Sequence, residues 1–265
     1  MHPLVNIAVN AARRAGNVIT RATQKLDTLQ VQAKGRHDFV SDVDRAAEQE
    51  IIQVIRKAHP DHAILAEESG AAGESEVTWI IDPLDGTTNY LHGFPHYAVS
   101  IGIQVKNRVE HGVIYDPMRQ ELFTASRGGG VQVDGRRVRV TRLNSVEGAL
   151  LGTGFPFRAP QRLDAYLETF RALFPQASDI RRAGSAALDL AYVAAGRLDG
   201  YWEFGLHPWD MAAGALMVQE AGGLVGDFSG GSKYMESGNI VAASPKVFKG
   251  MLQAIHGALP PDLRR

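Results

Sequence analysis

The chain has 265 residues, 45% hydrophobic and 22% charged, the ordinary balance of a globular protein with one large or two small domains. Its 28 Lys plus Arg against 29 Asp plus Glu leave almost no net charge, which excludes a general attraction to nucleic acid or anionic membrane. The absence of cysteine excludes disulfide frameworks, thiolate nucleophiles and cysteine-based zinc sites, and a chain this long buries enough surface to fold without a structural metal.

In chain order, Leu4, Ile7, Ala8, Ala11, Ala15, Val18 and Ala22 recur at helical spacing behind Pro3 and predict a first helix. Arg13 and Arg14 fall inside it, so it lacks the uninterrupted apolar stretch of a signal peptide. No apolar run reaches the roughly 18 residues of a membrane span, and the expectation is a soluble, cytoplasmic protein. A second helix is predicted over 42–58, with Val43, Ala47, Ile51, Val54, Ile55 and Ala58 inward and His59-Pro60 ending it. The short apolar runs 63–66 and 79–81 each stop at an acidic residue, so both read as strands delivering a carboxylate.

From Tyr97 to Val140 strand patterns dominate: 98–105, 109–115, 121–125, and 131–140 folded at Asp134-Gly135, a dipeptide suited to a tight turn with positive φ. Consecutive strands joined by short turns predict an antiparallel sheet. Arg136, Arg137, Arg139 and Arg142 alternate with valines there and read as the wet face of a strand. After Asn144 strands and helices alternate: a strand at Leu150-Leu151, helices over 163–174 and 184–195, a strand at 200–203, a helix over 208–221 stopped by Gly222-Gly223, a strand at 240–243 and a last helix over 245–255. The shift near 141–148 marks a candidate boundary. Residues 1–143 then hold two helices and the antiparallel sheet, and 144–265 an α/β part with a smaller mixed sheet. No linker is long enough to let them move apart, so layered packing as one body is expected.

The chemistry concentrates in Trp79-Ile80-Ile81-Asp82-Pro83-Leu84-Asp85-Gly86-Thr87-Thr88-Asn89. An apolar strand runs into Asp82, proline fixes a turn, Asp85 follows, and glycine with hydroxyl residues opens a helix. Backbone N–H groups there would seat a phosphate, yet two carboxylates ~4 Å apart repel each other by about 4 kcal/mol at an effective dielectric near 20, and would repel a phosphate too. Oxygen donors without cysteine then point to a hard cation such as Mg²⁺. Asp82 and Asp85 alone could merely cap a turn. Glu67 after the strand 63–66, and Asp210 in the first turn of the helix behind His207-Pro208-Trp209, add acids at element ends in both halves of the chain. The site should lie between the halves, because Asp210 must reach back to Asp82 and Asp85.

Other motifs do not hold up as sites. His92 and His96 are separated by glycine and proline, which spoil the helix on which that spacing would face one metal. The order of residues in 226–233 does not match a phosphate loop ending Gly-Lys-Ser/Thr. Gly128-Gly129-Gly130 precedes a strand rather than a helix, and the Ala/Leu stripe of 186–195 reads as core or subunit interface.

Ala66-Glu67-Glu68, the run from Trp79 to Asn89, and His207-Pro208-Trp209-Asp210-Met211-Ala212-Ala213-Gly214 together resemble the inositol monophosphatase family, most closely its bacterial SuhB-type branch. The likeness extends from Asp38-Phe39-Val40-Ser41-Asp42-Val43-Asp44 to Glu220-Ala221-Gly222-Gly223. The resemblance implies an α/β fold of five alternating layers, an αβαβα sandwich, and a homodimer. It further implies that Glu67, Asp82, the Leu84 carbonyl, Asp85 and Asp210 bind Mg²⁺, with Glu67 and Asp82 sharing one ion and Asp82, Asp85 and Asp210 another. Asp44 and Thr87 would orient or deprotonate the attacking water, and the Gly86 and Thr87 amides would hold the phosphate. Ser185, Ala186 and Glu203 would meet the hydroxyls of a small phosphorylated polyol, and Lys34 would help hold a further metal or water. The implied activity is Mg²⁺-dependent, Li⁺-sensitive hydrolysis of inositol 1-phosphate. Related phosphatases of fructose 1,6-bisphosphate or adenosine bisphosphates are rivals within the same chemistry, and association with RNA polymerase and Nus factors is a rival of a different kind.

Overall fold

In the computed structural model, which describes residues 2–23, 31–35 and 38–264, the His2 side chain accepts a hydrogen bond from the Leu4 N–H at 3.2 Å and Pro3 occupies the first turn of α1 (Pro3–Ala22). The hairpin of β1 (Val31–Gly35) and β2 (Asp38–Ser41) leads into α2 (Asp42–Ala58). A large sheet follows, made of β3 (Ala63–Ala66), β4 (Gly70–Ala72), β5 (Val77–Asp85), β6 (Ala98–Val105), β7 (Arg108–Asp116), β8 (Glu121–Ser126), β9 (Gly130–Val133) and β10 (Arg136–Arg137), with the short α3 (Thr87–Leu91) between β5 and β6. The spatial order is β10-β9-β8-β7-β6-β5-β3-β4. Its pairs are antiparallel, as expected, except that β3 runs parallel to β5. Asp134 and Gly135 have φ of 48° and 78°, the tight turn that their identities predict.

The second sheet comprises β11 (Leu150–Thr153), β12 (Asp179–Arg181), β13 (Gly200–Glu203), β14 (Leu224–Gly226) and β15 (Ile240–Ala243) in the order β12-β11-β13-β15-β14, and it is mixed. Its helices are α4 (Leu163–Leu173), α5 (Ala186–Ala194), α6 (Pro208–Glu220), α7 (Tyr234–Ser237) and α8 (Pro245–Ala258).

Strand alternation sorts the side chains into layers. Val99, Ile101, Ile103 and Val113 join the core beneath α1 and α2, whereas Ala98 and Ile114 face α5 and α6. On the small sheet Tyr201, Ile240 and Ala242 point to that same middle core, and Trp202, Val241 and Ala243 point to the core under α4 and α8. The result is an αβαβα sandwich whose middle core draws residues from both sides of position 143. Helix α6 lies in the middle layer and is buried along Asp210–Val218 rather than on one stripe, as a helix covered on all sides must be. Gly102 and Gly112, paired across β6 and β7, let it approach. A Cβ on Gly102 would lie 2.7 Å from Ala212 Cβ, and one on Gly112 would lie 3.0 Å from Ala213 Cα.

Several expectations shift. The buried face of α1 runs through Val5, Ala8, Ala12, Ala15 and Ile19, while Leu4, Ile7 and Val18 are only partly covered; close packing on α2 and the sheet selects the small residues. Ala58 is exposed at the end of α2. Residues 138–140 leave the sheet and the Val140 N–H binds the Ala221 carbonyl at 3.2 Å, although the arginines around them are exposed as anticipated. Helix α5 begins two residues late because Gly184 sits at φ +91° and Ser185 is its extended N-cap. The three-residue strands β4, β12 and β14 have no counterpart in the sequence reading. Among the described residues no helix is long and apolar enough to cross a membrane.

Candidate active site

Asp82 and Asp85 sit three apart on β5, and in a regular strand that spacing would send them to opposite faces. The β5–β6 register is broken there: Asp82 pairs with Ser100 and Asp85 with Ala98, so three steps on one strand match two on the other. The extra residue is a bulge at Pro83-Leu84, and it turns both carboxylates to one side. The Leu84 N–H closes the turn onto Asp82 Oδ1 at 3.0 Å. Gly86 then takes φ +100°, a left-handed conformation that suits glycine. A Cβ at this position would also come within 3.0 Å of the His96 carbonyl oxygen.

The parallel pairing of β3 with β5 puts the two strand ends side by side. Ala66 is in register with Ile81, and the Glu67 N–H donates to the Ile81 carbonyl at 3.1 Å. Glu67 therefore stands next to Asp82. Asp210 arrives from the first turn of α6, where its Oδ2 accepts from the His207 N–H at 2.7 Å. Ligand-type oxygens of Asp82, Asp85 and Asp210 lie within 4.8 Å of one another, which joins the two halves of the chain as the sequence required.

Asp44, buried on α2, accepts at Oδ1 from the Thr87 hydroxyl at 2.9 Å, and that hydroxyl also lies 3.1 Å from the Leu84 carbonyl oxygen. Opposite, Asp85 Oδ2 accepts from Ser185 Oγ at 2.6 Å and from the Ala187 N–H at 2.7 Å. Asn89 fastens this side by donating to the Ala183 carbonyl at 2.9 Å. Glu203 hydrogen-bonds the Tyr201 hydroxyl. These groups surround a cavity of about 310 Å³, which Glu67, Asp82, Asp85, Thr87, Glu203 and Asp210 line, with Leu84, Gly86, Ser185 and Ala186 also in its wall. Asp44 stands behind Thr87. The Lys34 side chain lies outside the described residues.

Confinement raises the proton affinity of Asp82, Asp85 and Glu203. Burial, then Glu67, Asp85 and Asp210, push Asp82 well above the usual carboxylate range. Burial and Asp210 lift Asp85 to about 8, although Ser185 and Ala187 oppose the rise. Burial lifts Glu203 to about 7 against the Tyr201 hydrogen bond. The donors are hard oxygens that repel one another, and a divalent hard cation such as Mg²⁺ fits that set.

Sequence reasoning missed four residues here. Asp189 lines the cavity floor, and burial and Glu203 raise its pKa well above normal. Arg158 reaches Glu67 and Asp210. Arg182 lies over the Phe155 and Phe157 rings at 5.3 and 5.2 Å from their centroids. Gly154 gives Glu203 its room, since a Cβ there would lie 1.9 Å from the Glu203 Cδ. The one available signal was the run Thr153-Gly154-Phe155-Pro156-Phe157-Arg158 directly after an apolar strand. His92 and His96 do not share a helix: α3 ends at Leu91 with His92 as its C-cap, and burial lowers the pKa of His96 to about 4.

Residues 1–259 match the model of the inositol monophosphatase family. Among curated relatives, a protein named "Nus factor SuhB" from Pseudomonas aeruginosa is 58% identical over 271 residues, covering 100% of both chains. Among solved structures, the extragenic suppressor protein suhB of Bartonella henselae superposes with a TM-score of 0.93 at 44% identity, covering 96% of this chain and 98% of that one. The inositol monophosphatase of Anabaena superposes with a TM-score of 0.87 at 37% identity, covering 97% and 96%.

Proposed function

This chain belongs to the inositol monophosphatase family, and from that premise we propose that it is a Mg²⁺-dependent phosphatase of small phosphate monoesters, with inositol 1-phosphate as its leading substrate. The observation that carries the reading is the meeting of Asp82, Asp85 and Asp210 within 4.8 Å, around a cavity of a size to take a small polyol phosphate.

Glu67, Asp82, Asp85, Asp210 and the Leu84 carbonyl would hold Mg²⁺, Glu67 together with Asp82, and Asp82 together with Asp85 and Asp210. Mg²⁺, when bound, supplies charge neutralisation for the phosphate and lowers the pKa of water beside it. The protein's own groups do the positioning. Thr87 orients the attacking water, and Asp44, 2.9 Å from the Thr87 hydroxyl, receives its proton through that oxygen. The Gly86 and Thr87 N–H groups hold the phosphate. Ser185 and Ala186 wall the substrate's hydroxyl side, and Glu203 binds a hydroxyl of the polyol. The same reading has the protein act as a cytoplasmic homodimer sensitive to Li⁺.

A second reading, a Nus-factor role in transcription, is favoured by the printed name of the 58% identical relative. One set of preparations tests both. Purified protein is assayed for phosphate release from inositol 1-phosphate, fructose 1,6-bisphosphate and 3′,5′-adenosine bisphosphate, with and without chelator. Wild type and Asp85→Asn are then compared for retention of RNA polymerase and Nus factors. Fastest turnover of inositol 1-phosphate, abolished by chelation and by Asp85→Asn, is expected. Full activity under chelation refutes the metal chemistry, and retention of partners by the inactive variant adds the second role.

A further inference from the structure

Arg158 closes the turn Phe155-Pro156-Phe157 that follows β11, and its guanidinium reaches over the acidic cavity. Its Nη2 lies 3.6 Å from Glu67 Oε1 and its Nη1 3.6 Å from Asp210 Oδ2. Those acids come from different elements, the end of β3 and the start of α6. Their side chains are 10% and 6% exposed against 37% for Arg158, so the cation comes from the rim onto carboxylates that are largely withdrawn from water. The turn is pinned from its other side by Arg182, stacked over Phe155 and Phe157.

We propose that Arg158 is a displaceable counter-cation: it bridges Glu67 and Asp210 in the metal-free protein, yields these oxygens to divalent ions, and then binds the phosphate of the substrate from the rim. Binding of the phosphate rests on the phosphatase reading and displacement on the metal centre; the bridge itself rests on the two ion pairs. Glu67 and Asp210 are like charges held close together, and a guanidinium within 3.6 Å of both offsets part of their repulsion. Both contacts are longer than a hydrogen bond and the guanidinium is partly hydrated, which keeps the bridge weak enough to give way. A divalent ion on the same oxygens repels the guanidinium. The anion that such ions attract offers the planar fork its next partner within the same cavity. Arg158 thus has two successive anionic partners, the acids and then the phosphate.

The test is calorimetric titration of Mg²⁺ into wild type, Arg158→Gln and Arg158→Lys without substrate, followed by steady-state kinetics. Arg158→Gln is expected to bind Mg²⁺ about tenfold more tightly, equivalent to about 1.4 kcal/mol. Arg158→Lys, which keeps the charge, should stay within about threefold of wild type. In turnover, Arg158→Gln should raise KM for the phosphorylated substrate more than it lowers kcat. Equal or weaker Mg²⁺ binding by a folded Arg158→Gln overturns the proposal while leaving the metal centre intact. A wild type that takes up no Mg²⁺ overturns both. If Arg158→Gln does not fold, wild-type crystal structures with and without Mg²⁺ decide: a guanidinium that stays within 4 Å of Glu67 and Asp210 when the ions are present refutes displacement.

Discussion

Raising the pH should destabilise the metal-free protein, and the size of the effect follows from the site. An ordinary aspartate loses its proton near 3.8, but Asp85 in the folded protein holds its proton to about 8 because it is buried beside Asp210. Between those values the native state binds more protons than the unfolded chain, so stability is fully present at the acid end and falls as pH rises through the window. A rise of this size corresponds to roughly 6 kcal/mol at most. Glu203, lifted from 4.5 to about 7, adds to the same fall and completes its share sooner. Set against a total stability of roughly 5–15 kcal/mol, the loss is large. At about 2–4 °C per kcal/mol for a protein near this size, the chelated protein should melt at least ~10 °C lower at pH 8.5 than at pH 5. Calorimetric melting in EDTA across pH 5–9 measures it, and Asp85→Asn should flatten much of the slope. Saturating Mg²⁺ should restore the loss at high pH, because it favours the ionised carboxylates. A melting temperature that is level or climbs with pH in EDTA would refute the assignment of a protonated acidic cluster.

Three substitutions probe the frame around the site. Gly154→Ala puts a methyl into the Glu203 carboxylate, whose oxygens would be 2.0 and 2.1 Å away. The far end of a flexible side chain can move, so the melting temperature should change little while KM for a polyol phosphate rises about tenfold and KM for an aryl phosphate does not. Gly112→Ala meets backbone instead, with Ala213 Cα and O both at 3.0 Å; thermal unfolding should show a loss of about 1–3 kcal/mol. Ser185→Ala removes both the 2.6 Å hydrogen bond to Asp85 and the cap of α5; it should cost about 1–2 kcal/mol in denaturant unfolding at neutral pH.

The sequence makes the acids legible because each follows an apolar run or opens a helix, so its residue type and its place coincide. Glu67, Asp82, Asp85 and Asp210 all obey that rule, and all four come together. Other features depend on pairing between segments that the local pattern does not contain. The bulge at Pro83 that turns Asp82 and Asp85 to one side appears only in the offset from Ser100 and Ala98 on β6. The parallel β3–β5 pair reverses the local expectation, yet it is what sets Glu67 beside Asp82. Alanine-rich α1 offers two nearly equivalent stripes, and only its neighbours select the one through Val5, Ala12 and Ile19. The edge strands β12 and β14 are three residues long, too short for alternation to register. Arg158 is not singled out by the run 153–158, because an arginine behind Phe-Pro-Phe reads as a surface residue until Glu67 and Asp210 are known to lie within its reach.

Helix α6 explains why the site lies at the junction of layers. Asp210 stands at its first turn, and the same helix fills the space between the two sheets with Met211, Ala213 and Leu216. The position of one carboxylate is therefore set by how closely α6 approaches β6 and β7, which Gly102 and Gly112 decide. Asp82 and Asp85 belong to the large sheet itself. A cation that neutralises all three ties the central helix to that sheet, so part of its binding energy is folding energy. A Gly112→Ala variant that pushes α6 outward should accordingly weaken Mg²⁺ binding as well as lower the melting temperature, although residue 112 is no part of the cavity wall. If it melts earlier but binds Mg²⁺ with unchanged affinity, Asp210 is held by its own first turn and the packing of α6 does not set the site.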